Sequence, residues 1–252
     1  MEKAASVVEL QHADIPRARV ASPVAVLKDV NCVVEAGDFW VIGALPGEGK
    51  TDLLCTAAGL QRPLKGKQFL FGKETSEMSE EELVQARLRI AMVFMEGRLF
   101  SGLSVAQNVA MPLSYHKNYD EKELSRRVEE ALERTGLKPF ADRTPMQLTR
   151  NLHQRVGLAR ALALEPEVLM VDNPLGMIDA RQGRWWIDFL CELTKRMTVV
   201  VAVDDLRAWT DVGRKFAVLR NKQMEVIGGR EEIKSSSDSL VQELMMHALD
   251  QE

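Results

Sequence analysis

"WVIGALPGEGKTDLL", Trp40 to Leu54, joins an apolar run to a helical pattern through a glycine-rich turn. The run predicts a buried strand, and the helix is expected to open at Lys50 and reach about Ala58. Between them, Gly47 and Gly49 let the backbone aim its N–H groups at an anion, helped by the positive end of the helix dipole. Lys50 then reaches the β and γ phosphates of a nucleotide, and the Thr51 hydroxyl ligates Mg2+. Three details depart from the ideal loop. Ala44 replaces the usual first glycine, while Glu48 and Asp52 bring negative charge close to where phosphates lie. The competing reading is a glycine-rich turn with no ligand. Gly-Lys-Thr between a strand and a helix weighs against it.

A second apolar run, Val168 to Val171, ends in Asp172 and is followed by Asn173 and Pro174. An acid at a strand end beside a phosphate loop holds Mg2+ through water; its bland role is to cap a loop. Further buried runs, "IAMVFM" and "TVVVAV", alternate with helical patterns such as "SEMSEEELVQARLR", where Ser79 and Glu82 form a capping-box pattern. That alternation predicts an α/β fold with a largely parallel sheet. Residues 5 to 42 read as β-rich, and the middle of the chain reads as a helical insertion. "KFAVLRNKQMEVIG" reads as a hairpin turning at "NK". The last twenty residues read as a short Ser-capped helix whose apolar stripe either folds back or meets a partner.

With 252 residues and 46% hydrophobic content, the chain is long enough for one large domain with an insertion. A net charge of −4 implies no general affinity for nucleic acid. No apolar run approaches ~20 residues, so no direct membrane insertion is expected. The first residues carry no signal-peptide core, which points to a cytoplasmic protein that meets a membrane only through a partner. Cys32, Cys55 and Cys191 sit among apolar residues without metal-ligand spacing and read as packing residues in a reducing compartment. His12, His116, His153 and His247 show no ligand spacing either. Trp185 and Trp186 are adjacent on a predicted helix and face about 100° apart, so one is expected in the core and one at a surface.

Taken together, the segments resemble the ATP-binding-cassette (ABC) transporter ATPases, from "VLKDVNCVVEAGDFWVIG" to "FAVLRNKQMEVIGG". The stretch over residues 92–113 looks most similar to cassettes of Mce/Mla-type lipid-transport systems. The resemblance implies a P-loop NTPase core of ABC type, with a mostly parallel sheet flanked by helices. It also implies an N-terminal antiparallel β subdomain and an inserted helical subdomain. The expected division is 1–87 for the β subdomain and P-loop core and 88–150 for the helical subdomain. Residues 151–234 form the rest of the core, and 235–252 a C-terminal helix. The implied cofactors are ATP and Mg2+, bound through Ala44, Gly47, Glu48, Gly49, Lys50, Thr51 and Asp52, with Thr51 and Asp172 on the metal. The implied partners are a membrane permease subunit and a second ABC cassette, identical or different, at the inner face of the membrane.

The departures from the family pattern fall on the water-handling positions. The family's Q-loop glutamine falls on Met95, which neither donates nor accepts usefully. Its signature segment falls on Leu148, Thr149, Arg150, Asn151 and Leu152, with Arg150 and Asn151 in place of two glycines. The catalytic glutamate falls on Asn173 and the switch histidine on Asp204, while the D-loop aspartate survives as Asp179. Asn173 can orient a water but cannot take its proton, a loss typically worth ~10²–10⁴ in rate. Asp204 reads either as a relocated base or, more simply, as a strand-end acid with no catalytic duty. Arg150 would place a guanidinium beside the partner cassette's γ-phosphate, holding ATP without hydrolysing it. No aromatic precedes Phe39, which leaves Arg17 or Arg19 as candidates to stack on adenine. The reading is therefore a nucleotide-binding transporter subunit with impaired hydrolysis. The alternatives are a working ABC ATPase with substituted residues, and a soluble P-loop regulatory or scaffold protein without a permease.

Overall fold

The computed structural model describes residues 5–17, 24–176 and 180–246. The chain runs β1 (Ser6–Pro16), β2 (Ala25–Glu35), β3 (Phe39–Gly43), α1 (Lys50–Ala57), β4 (Lys65–Leu70) and β5 (Lys73–Glu74). It continues α2 (Glu80–Leu88), β6 (Ile90–Val93), α3 (Val105–His116), α4 (Glu121–Arg134), α5 (Arg150–Leu162) and β7 (Val168–Asp172). Then follow α6 (Ala180–Leu193), β8 (Thr198–Val203), β9 (Lys215–Arg220), β10 (Gln223–Gly228), α7 (Arg230–Ser235) and α8 (Ser239–Met246).

The central sheet has the order β10-β9-β3-β8-β7-β6. All its neighbours pair parallel except β10 with β9. Parallel strands are covered on both faces, which is why "TVVVAV" is apolar throughout rather than alternating. Along β3, Trp40 and Ile42 join one core with Met170 and Val200, under α1 and the second sheet. Phe39 and Val41 point the other way, into a core with Leu169, Val201, Trp186 and Leu190. The second sheet, β2-β1-β4-β5, is antiparallel and caps the α1 side. The α/β core with its antiparallel sheet is thus as the sequence leads one to expect.

Helices α3, α4 and α5 form a third core of their own around Val109, Leu113, Leu132, Val156 and Ala159. Helix α5 belongs to two cores, because its Leu158 and Leu162 face the central sheet. It is the rigid element that ties the helical layer to the strand ends.

Local chemistry sets the element ends. The Ser79–Glu82 capping box forms at the start of α2. At the β9–β10 turn, Asn221 (φ 50°) and Lys222 (φ 63°) both adopt left-handed backbone, as a two-residue primed turn requires. Beyond the short α7, one helix, α8, forms in the chain end, and its cap is Asp238, not a serine. Its Oδ1 accepts from the amides of Leu240 and Val241 at 3.0 and 3.1 Å. A carboxylate there satisfies free amides and suits the positive end of the helix. The tail folds back: Leu240, Val241 and Leu244 are buried, and the Leu206 amide donates to Leu244 O at 3.0 Å. His247 and the rest of 247–252 lie outside the described residues.

Trp186 is buried, whereas Trp185 is half-buried, stacked on Phe189 and covered by the Arg155 guanidinium 3.6 Å from its ring centre. None of the three cysteines is in a disulfide; Cys55 is buried and the other two are half-buried. No described helix is long and apolar enough to cross a membrane.

Candidate functional site

The glycine-rich turn closes as its sequence demands. Gly47 (φ 89°) and Gly49 (φ 93°) both sit in left-handed backbone, and Gly49 is the N-cap of α1. A side chain at Gly49 would also meet Val26 at 3.1 Å, so glycine is required there on two counts. Ala44 is buried, and its amide donates to Val203 O at 3.1 Å, tying the start of the loop to the end of β8. Glu48 is half-buried at the loop, and Asp52 is buried in the first turn of α1, where the helix dipole favours an acid.

Lys50 folds over this loop. Its Nζ donates to Ala44 O at 2.5 Å and to Leu45 O at 2.9 Å. The third contact is an ion pair with Asp204 Oδ1 at 2.6 Å, with the lysine side chain 9% exposed and the aspartate 32%. The other oxygen of Asp204 accepts from Asn173 Nδ2 at 2.6 Å. The same Asn173 nitrogen lies 3.7 Å from Met95 Sδ. Met95 offers only the weak acceptor that a thioether allows. Asp204 is held in place by both of its oxygens. The cause is strand order: β8 lies between β3 and β7, so the residue after β8 stands between the glycine loop and the end of β7.

Thr51 Oγ1 donates to Asp172 Oδ2 at 2.6 Å. Burial pushes the Asp172 carboxyl above its usual range, against the opposing pull of the Thr51 hydroxyl and the Lys50 charge. Asn173 takes left-handed backbone (φ 46°), and its amide donates to Ala202 O at 2.8 Å. Sequence reasoning passed over two residues. Gln154 of α5 is buried and donates to Asp172 O at 2.7 Å, pinning the strand end to the helix. The available signal was a lone amide within the apolar pattern of "LHQRVGLARALAL". Arg98 was missed too. Its guanidinium stacks on Phe94 at 3.6 Å, and its charge favours ionised Asp172.

The signature-like segment stands apart from this cluster. Helix α5 starts at Arg150, with Thr149 as its N-cap, and the Thr149 hydroxyl turns to Asn151 Oδ1 instead of capping. Arg150 is exposed, while Leu148, Asn151 and Leu152 are half-buried. Arg150, Asn151, Gln154 and Met95 share the wall of a cavity of about 430 Å³. Arg17 is exposed, and Arg19 and Asp179 lie outside the described residues.

The residues fit a magnesium nucleotide. Two left-handed glycines precede a helix N-terminus, a buried cation covers them, and a hydroxyl and a carboxylate meet at its side. Among the described residues no three His, Cys, Asp or Glu gather into a metal cage. Thr51 and Asp172 alone suit Mg2+, which takes few protein ligands and completes its shell with water and phosphate oxygens.

A family described as "ABC transporter" matches residues 27–176. The sulfate/thiosulfate import ATP-binding protein CysA of Synechococcus elongatus is 38% identical over 82% of the chain. The methionine import ATP-binding protein MetN of Carboxydothermus hydrogenoformans is 32% identical over 79%. The chain spans 59% of the length of both relatives. Among solved structures, the ATP-binding cassette MJ0796, a dimer in a post-hydrolysis state bound to ADP and Pi, superposes with a TM-score of 0.79. It is 27% identical, and the match covers 88% of this chain and 99% of that one.

Proposed function

Because the chain belongs to the ABC transporter family, we propose that it is the nucleotide-binding cassette of a membrane transport system, binding Mg-ATP and turning it over slowly. Its relatives serve importers, so an import system is the expected setting. The nucleotide phosphates bind at Gly47, Gly49 and Lys50, and Thr51 and Asp172 hold Mg2+. The magnesium ion supplies charge neutralisation when bound. The protein supplies backbone donors, the Lys50 ammonium and a fixed Asp172.

One observation carries the slow turnover. The position that would take a proton from water is Asn173, whose amide nitrogen is already given to Asp204 at 2.6 Å. The neighbouring carboxylate is no substitute, because Asp204 is paired on both oxygens, to Lys50 and to Asn173. An amide cannot accept a proton at neutral pH, and neither oxygen of the carboxylate is open to a water.

Support for a permease comes from the groove between the central sheet and the helical layer. Met92, Phe94, Met111 and Pro112 line it, with Leu60 and Phe100 half exposed at its rim. An apolar groove of this kind suits an amphipathic helix of a partner. The test has two parts. Calorimetry with Mg-ATP should give binding that Lys50→Ala abolishes. The chain purified with its membrane partners should hydrolyse ATP well below ~1 s⁻¹, the low end of ordinary enzyme turnover. Turnover of ordinary size in that complex would overturn the slow-cassette reading.

A further inference from the structure

We propose that Asp204 makes the glycine loop selective for nucleoside diphosphate over triphosphate, by placing its own carboxylate where a terminal phosphate would be held. The inference rests on nucleotide binding at this loop, as read above.

An ammonium has three donors. Two of those of Lys50 go to Ala44 O and Leu45 O, within the loop itself. The third meets Asp204 Oδ1 at 2.6 Å. Asn173 Nδ2 lies on the far side of the same carboxylate at 2.6 Å from Oδ2. The slot between one cation and one amide donor is thus filled by an anion carried on the chain. Those are the groups that would hold phosphate oxygens beyond the loop. Strand order fixes the direction, since β8 stands between β3 and β7 and Asp204 follows it. A phosphate chain that ends at the loop takes one Lys50 donor but leaves the Asn173–Asp204 bond in place. One that continues toward Asp172 and Asn173 must also displace the carboxylate from Asn173, or lie against its charge.

Lys50 is buried, so it cannot follow a displaced carboxylate into water. Asp205, one residue on, already pairs with Arg207 through both of its oxygens. A charge-assisted hydrogen bond lost on one side, with like charges brought together, amounts to at least about tenfold in affinity. The charge difference at the slot applies to the longer nucleotide only.

The experiment measures Mg-ADP and Mg-ATP affinities by calorimetry in wild type, Asp204→Asn and Asp205→Asn. Asparagine keeps the shape of Asp204 and removes its charge, and ADP binding reports whether each variant is folded at the site. Expected is a wild type that binds ADP at least about tenfold more tightly than ATP. Asp204→Asn should move the ATP:ADP affinity ratio at least about tenfold toward ATP, and Asp205→Asn should leave it in place. Four outcomes overturn the inference. One is a wild type that binds the two nucleotides alike. The second is a ratio unmoved in Asp204→Asn. The third is an equal movement in Asp205→Asn, which would assign the effect to general charge. If folded wild type binds neither nucleotide, the reading of the loop as a nucleotide site fails as well.

Discussion

Asn173 and Asp204 are joined by a 2.6 Å hydrogen bond from the amide nitrogen of one to the carboxylate of the other. The two residues therefore depend on each other. A glutamate at 173 would face the Asp204 carboxylate without a proton between them, and a histidine at 204 would lose the Lys50 pairing.

Restoring one position alone should fail. Asn173→Glu is expected to lower the melting temperature and to leave turnover within about threefold of wild type, because like charges at hydrogen-bond distance repel. Asn173→Glu with Asp204→His should recover more turnover than the two single changes combined, a non-additivity expected of contacting residues. Phosphate release by the purified chain, with the proposed permease where one co-purifies, checks this. Full activity in the single Asn173→Glu variant would contradict the coupling.

Gln154 offers a test that does not depend on nucleotide. Gln154→Leu leaves the buried Asp172 carbonyl without its 2.7 Å donor, at a cost of about 1–3 kcal/mol. Gln154→Glu should cost more, since a carboxylate has no N–H to give and lies against the same oxygen. Chemical denaturation with unchanged m-values would measure both. Equal stability of wild type and Gln154→Leu would place the donor elsewhere.

Cys32 packs against the core, and burial pushes its thiol up to about 12. An acid whose folded value is raised keeps its proton longer in the folded state. The folded form gains from this below the unfolded thiol range and loses it as pH climbs from there toward the folded value. At pH 8 the thiolate fraction is on the order of 10⁻⁴. Alkylation of Cys32 at pH 8 should therefore be at least about a hundredfold slower than in urea, read by mass spectrometry of the labelled peptide.

How much of this was legible in the sequence follows from what is local. The glycine loop, the Ser79–Glu82 box and the Asn221–Lys222 turn are set by neighbouring residues, and the pattern alone predicts them. Buried strands betray themselves by continuous apolar runs. The Lys50–Asp204–Asn173 chain is different. It exists because β8 inserts between β3 and β7, and no local pattern states that order. Gln154 was hidden for a related reason. Its partner is a backbone carbonyl, Asp172 O, and backbone partners leave no trace in residue type. The tail helix was read correctly in its apolar stripe and wrongly in its cap, since Ser236, Ser237, Asp238 and Ser239 are all good caps and only geometry selects one.

Arg150 is exposed in the first turn of α5, where the free amides and the dipole disfavour a cation. Alone, the residue therefore costs the helix a little stability, about 0.3–1 kcal/mol by general experience with exposed helix ends. A phosphate presented by a second cassette would reverse the sign, because a guanidinium binds phosphate oxygens in paired hydrogen bonds. The two settings make opposite demands on one side chain. Arg150→Glu should raise the melting temperature of the isolated chain and abolish any Mg-ATP-dependent dimer. Arg150→Gly should weaken that dimer and slightly destabilise the helix if the arginine methylenes pack. Static light scattering with and without saturating Mg-ATP, beside thermal melts of the same samples, reads both quantities. A dimer formed equally well by Arg150→Glu would show that the cation faces no phosphate across the interface.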